Sequence, residues 1–310
     1  MSEHLGEKRA LHAAEGTAGI FNALPDTELF DYRLAVDDLV EEASTRPRPS
    51  NRNTAEEFAA KRLGQPEFTA VFSRLDGGAD VVAARLISDI GAYQPSGHSP
   101  SDLWTFVRIY LLSLIDSVWW QGTAPFVSDA DVLHSTELVD LKPLKSAKML
   151  QFQFHTQPAG LSGRILDRVQ HQALPGIRPR VAGLRFTRSR PAVVAVINQI
   201  ARELAATLPA RTPRLWVTSM VRSEQHQNHL RSLGYPAVLP SSHCVGYACD
   251  LETLWFRRFD QGGRLARLLL ERQESGQLNV IDEGHAWHVC VNPLACEELQ
   301  AAYDAQLRVR

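Results

Sequence analysis

The run Leu103–Trp120, LWTFVRIYLLSLIDSVWW, constrains this chain more than any other. It is the most apolar stretch of the sequence, so it calls for enclosure either by the rest of the protein or by lipid. Its 18 residues approach the length of a membrane span. Arg108 and Asp116 interrupt it, and charges in hydrocarbon are expensive. The run therefore reads as a helix buried in a protein core, and no membrane contact is expected. A chain of 310 residues, 44% hydrophobic and 22% charged, is large enough to build that core without a disulfide scaffold. The same composition excludes bulk disorder. A formal net charge of -2 gives no electrostatic reason to expect a nucleic-acid partner.

Three segments are expected: a flexible N-terminus over 1–20, a mainly helical domain over 21–165, and a mixed domain over 166–310. Phe30, Leu34, Leu39 and Val40 recur near helical spacing. The prolines of TRPRPSNRN (45–53) mark a loop, and Thr54 with Glu57 has capping-box spacing for the helix that follows. Ser99 or Ser101 is placed to cap the apolar helix. His98, His134 and His155 are isolated and read as ordinary surface or core residues. From Pro191 the character changes. A helix to Leu208 is followed by a β-prone run over Leu215–Ser219, a helix from Ser223 to the stop at Gly234, and a turn and strand over 241–252. A helix within Trp255–Ser275 starts or breaks near Gly262-Gly263. The strands Leu278–Asp282 and Ala286–Val291 are joined by Glu283-Gly284-His285, and a last helix covers 295–308. Helices and strands mix without βαβ repetition, so the fold class is α+β.

All four cysteines, Cys244, Cys249, Cys290 and Cys296, fall in the last 67 residues. They lack the paired CxxC spacing of a cysteine zinc site. They read as small buried hydrophobes, with a Cys290–Cys296 disulfide as the alternative. Histidine and carboxylate spacing is more telling. A catalytic zinc takes three protein ligands and leaves one position open. His243 and Asp250 lie seven residues apart across a turn in which Gly246 permits tight geometry. His288, 38 residues further on, sits on a neighbouring strand from which a third ligand could close the set. In that strand Cys290 shares the face of His288, whereas Cys249 points away from that of Asp250. His226 and His229, three apart on one helix, lack further partners and read as a solvated face.

Three runs carry a resemblance: Thr218-Ser219-x-x-Arg222-Ser223, then Ser241-x-His243-x-x-Gly246-x-Ala248-x-Asp250, then Trp287-His288. Together they resemble the D-alanyl-D-alanine metallopeptidase group of the lysostaphin/hedgehog-like zinc superfamily, over roughly residues 190–295. Residues 1–165 are not accounted for by it. The resemblance implies a hedgehog/D-Ala-D-Ala-peptidase-like zinc domain in which His243, Asp250 and His288 ligate Zn2+. It implies that Arg222 faces the reacting carbonyl or a substrate carboxylate. Ser241 would bond the substrate or its own turn. Many relatives carry a carboxylate three residues before the last histidine. Here that position is His285, so Glu283 is the expected general base and His285 its rival.

The expected function is a zinc metallopeptidase or amidase acting on a small peptide, such as a peptidoglycan-type stem peptide or a D-amino-acid dipeptide. The alternative is a metal-bearing binding or biosynthetic-pathway protein with little hydrolytic activity. The first 21 residues have no apolar h-region. A cytoplasmic location is therefore expected, with export by a non-classical route as the alternative.

Overall fold

The computed structural model describes residues 25–45, 52–95, 102–157, 179, 181, 183–235 and 238–308. The stretch 1–20 and the expected boundary between residues 165 and 166 lie outside them. The first elements are helices α1 (Asp26–Thr45), α2 (Arg52–Leu63), α3 (Pro66–Phe72), α4 (Gly78–Ala92) and α5 (Leu103–Trp119). After them come α6 (Asp129–His134), β1 (Val139–Asp140), α7 (Leu141–Ser146), β2 (Arg188–Ser189) and α8 (Pro191–Thr207). The remainder is β3 (Val217–Ser219), α9 (Glu224–Ser232), α10 (Ser242–Val245), β4 (Ala248–Glu252), α11 (Arg264–Glu274), β5 (Leu278–Asp282), β6 (Ala286–Val291) and α12 (Cys296–Arg308). The fold is α+β, with β1 paired to β2 and a four-stranded antiparallel sheet in the order β3-β4-β6-β5.

Two local expectations are corrected. The cap of α5 is Asp102, which accepts the backbone N–H groups of Trp104 and Thr105 at 2.9 and 3.0 Å. Its carboxylate also suits the positive end of the helix dipole. Ser99 and Ser101 lie outside the described residues. Helix α2 already begins at Arg52, so Thr54 sits inside it rather than at its cap. The last helix-breaking prolines, Pro47 and Pro49, precede that start.

Every residue of β4 and β6 is buried, because the sheet is covered on both faces. Alternation along the strands divides them between two cores. Cys249, Leu251, Val280, Trp287, Val289 and Val291 join α8, α11 and α12 on one side. Ala248, Ile281 and Cys290 join α1–α5 on the other. Helix α5 is the central member of that second layer, buried over most of its length from Val107 onward, and Tyr32 of α1 donates its hydroxyl to Leu111 O at 2.7 Å. No described helix is long and apolar enough to cross a membrane.

The end of α5 is fastened to the sheet. Trp120 donates its indole N–H to Val291 O at 3.0 Å, and its ring stacks on Tyr247 with centroids 3.4 Å apart. Arg190 covers Tyr247 at 4.3 Å. Trp120→Ala should remove this packing and leave Val291 O without its donor, lowering the unfolding free energy by about 3–5 kcal/mol. Urea unfolding followed by far-ultraviolet dichroism checks this. Helical layer and sheet should still unfold together in one transition.

Candidate metal centre

The β4–β6 register sets Asp250 directly opposite His288, and Ile281 of β5 flanks His288 on the other side. Opposed residues project to the same face, so the carboxylate and the imidazole meet. His243 arrives from α10, which Gly246 terminates with a left-handed φ of 80°. A side chain at Gly246 would be strained there, and the turn that returns the chain into β4 depends on it. These three buried residues bring one ligand atom each to within 4.8 Å of one another.

The hydrogen bonds fix which atoms face the centre. His243 Nδ1 lies 2.7 Å from Met220 O, which can only accept, so Nδ1 carries the proton and Nε2 keeps a lone pair. His243 Nε2 is 3.1 Å from Asp250 Oδ1 and 3.2 Å from His288 Nδ1. His288 Nδ1 is 3.2 Å from Asp250 Oδ1, which closes a nearly equilateral triangle. Bonds of roughly 2.0–2.2 Å in a tetrahedral array space their ligands by about 3.3–3.5 Å, so the triangle fits a small divalent cation after a shift of a few tenths of an ångström. Two nitrogens and a carboxylate could therefore hold a metal ion here.

Electrostatics follow from the same contacts. Burial disfavours charge on His288, yet its hydrogen bonds to Asp116 and Asp250 raise it to about 10. Burial and the Arg222 charge lower His243. Burial works against charge on Asp250, but the neighbouring His243 and the Arg222 guanidinium outweigh it and hold the carboxyl well below the ordinary carboxylate range. Without a cation the shared proton belongs on His288.

The other expected residues separate. Arg222 spends all three guanidinium nitrogens within the protein: Nη2 donates to Asp250 Oδ2 at 2.7 Å, Nε to Ser219 Oγ at 2.9 Å and Nη1 to Gln227 Oε1 at 3.2 Å. It thus holds the Asp250 oxygen that faces away from the triangle. Glu283 sits on the β5–β6 turn with its side chain 22% exposed. Burial and the Asp250 charge raise it to about 6. His285 is exposed, and its Nε2 lies 3.9 Å from Glu283 Oε2. Ser241 is the residue before α10, makes no side-chain cap bond, and lines a cavity of about 370 Å3 together with Ser242, Asp116 and Trp120. All four cysteines are free, so the Cys290–Cys296 bridge is not formed. Cys290 lies in the core with the helical layer, and burial pushes its thiol up. On α9, His226 is half-buried and lowered to about 4 by burial and by Arg185, which departs from the solvated face expected of it, whereas His229 is exposed.

One residue behind the ligands was not legible in the spacing: Asp116, which touches His288 from the side away from the triangle. Asp116 of α5 lies 2.8 Å from His288 Nε2 and accepts the Ser242 hydroxyl at 2.7 Å and the Asn279 amide at 2.8 Å. The signal was present as a carboxylate in an otherwise apolar helix, but its partner is 172 residues away.

The chain matches no family model, no curated protein and no solved structure.

Because His288 is protonated at neutral pH and a cation takes its Nδ1 position, metal binding should release about one proton per ion at pH 7. Affinity should rise with pH until His288 deprotonates near 10. Calorimetry in buffers of different ionisation enthalpy measures the proton count. His243→Ala should lose the ion, and unchanged metal content in that variant would sink the ligand assignment.

Proposed function

We propose that this chain is a zinc-dependent peptidase or amidase acting on a small peptide. The observation that carries the reading is the convergence of His243 Nε2, Asp250 Oδ1 and His288 Nδ1 beside a carboxylate, Glu283, whose pKa is raised to about 6. Two imidazoles and one carboxylate are an open-site zinc ligand set. When bound, zinc polarises a carbonyl and brings the pKa of water down toward roughly 7. The Ser241–Asp250 and Trp287-His288 runs resemble the D-alanyl-D-alanine metallopeptidase group. This favours a hedgehog-like zinc domain and a substrate with D-amino acids, such as a stem peptide or dipeptide. The cytoplasmic location expected from the sequence belongs to the same reading.

Each residue then has a task. Glu283 takes the proton from the attacking water and passes it to the leaving nitrogen, for which a pKa near the working pH is suitable. Arg222 keeps Asp250 ionised and aimed by its 2.7 Å bond, which leaves it little freedom to contact substrate as well. His285 supports the Glu283 turn: its Nδ1 lies 3.1 Å from Glu283 O, and its backbone carbonyl accepts from Thr253.

The base must be ionised to act, so the rate should fall as pH drops through about 6. A cation beside Asp250 offsets the charge that raises Glu283, which moves this limb lower. Glu283→Gln should keep its zinc and lose about 10²–10⁴-fold in kcat. His285→Ala should stay within a few-fold of wild type. Full activity in Glu283→Gln with loss in His285→Ala would reverse the assignment of the base. Zinc-loaded wild type that cleaves no D- or L-peptide would overturn the enzyme reading in favour of a metal-bearing binding protein.

A further inference from the structure

We propose that Asp116 is a positioning residue of the metal centre, and that the helical layer α1–α5 is thereby a structural part of that centre. The inference rests on the metal reading above. It assigns a task to a region that the resemblance does not cover.

Asp116 is 1% exposed and sits in the last turn of α5, between the apolar residues Ile115 and Val118. An isolated carboxylate there would be strongly disfavoured. It is kept because three donors converge on it. His288 Nε2–H and the Ser242 hydroxyl reach Oδ2 at 2.8 and 2.7 Å, and Asn279 Nδ2 reaches Oδ1 at 2.8 Å. Asn279 is itself oriented from both ends. It donates to Leu112 O at 3.0 Å and accepts from Arg33 of α1 at 3.0 Å. The Asp116 carboxylate therefore has one orientation, fixed by two helices, β5 and the turn that carries His243.

That orientation acts on the ligand. A carboxylate accepting from Nε2 holds that nitrogen protonated, so Nδ1 is the one left to face Asp250 and His243. It also fixes the plane of the ring. Ser242 carries the effect to the neighbouring ligand, because it bonds the same oxygen and adjoins His243 in sequence. Metal-ligating histidines commonly have such a carboxylate behind them, and its loss typically weakens metal binding 10–100-fold. Here the carboxylate comes from the helical layer, more than a hundred residues before the nearest ligand.

The test compares wild type with Asp116→Asn and with the double variant Asp116→Asn/Asn279→Asp. In the single variant the new amide would face the Asn279 amide, donor to donor, and the fold itself could suffer. The double variant returns a carboxylate to the cluster, beside Arg33, while His288 keeps only an amide oxygen. Zinc affinity is measured by chelator competition, together with the unfolding midpoint and the imidazole N–H proton resonances. We expect the double variant to remain folded, at some cost because Leu112 O loses the Asn279 donor, to bind zinc at least tenfold more weakly, and to lose the downfield His288 Nε2–H resonance. Wild-type zinc affinity in either variant would overturn the inference. If wild type binds no zinc, the metal reading falls and the resonance alone decides: unchanged in Asp116→Asn, it overturns the positioning role too.

Discussion

A carboxylate inside an apolar layer is stable only if it is fully bonded. Asp116 meets that condition by drawing partners from three separate parts of the chain: His288 from β6, Asn279 from β5 and Ser242 from α10. Each partner in turn lies beside something that must be placed. His288 faces the triangle, Ser242 precedes His243, and Asn279 reaches α1 through Arg33. The contact between helical layer and sheet is therefore polar at its centre and apolar around it, with Ile281, Ala248 and Cys290 packed alongside. Apolar packing would allow the layers to slide; the hydrogen bonds at the centre give the contact a single alignment.

Much of the centre was legible in the sequence, because the information there is local. His243 and Asp250 are separated by one turn whose glycine has to adopt a positive φ. Trp287-His288 follows a two-strand pattern with Gly284 at the turn, and Gly284 indeed has a φ of 82°. The α+β class followed from the change of periodicity near Pro191. The contacts that escaped are those between distant segments. Nothing in the spacing indicates that Asp116 meets His288, or that Arg222 is occupied by Asp250, Ser219 and Gln227 at once. A charged residue in an apolar helix announces that a partner exists without naming it. The Asp102 cap was missed for a simpler reason: two serines nearby were equally good caps by residue type.

Covering both faces of a small sheet has a chemical side. The face that carries Asp250 and His288 is also the face against which α5 packs, so the water excluded there makes the few remaining charges act strongly on one another. His288 at about 10 and Glu283 at about 6 are two outcomes of one environment, differing in whether carboxylates or burial dominate. The β5–β6 turn, with Glu283 partly exposed and His285 more so, is where this enclosed region meets solvent.

The paired register of β4 and β6 also limits how the chain can change length. Trp287 and Val289 belong to the core on the opposite side of the sheet from His288. A one-residue insertion or deletion within Ala286–His288 would exchange the imidazole for an indole or an isopropyl group and press the histidine into hydrocarbon. A two-residue change would restore the face but carry His288 past Asp250 by a rung. Strand β6 is thus intolerant of any indel, whereas a change of length can be absorbed in an exposed turn such as Gln261–Gly263, away from these rungs.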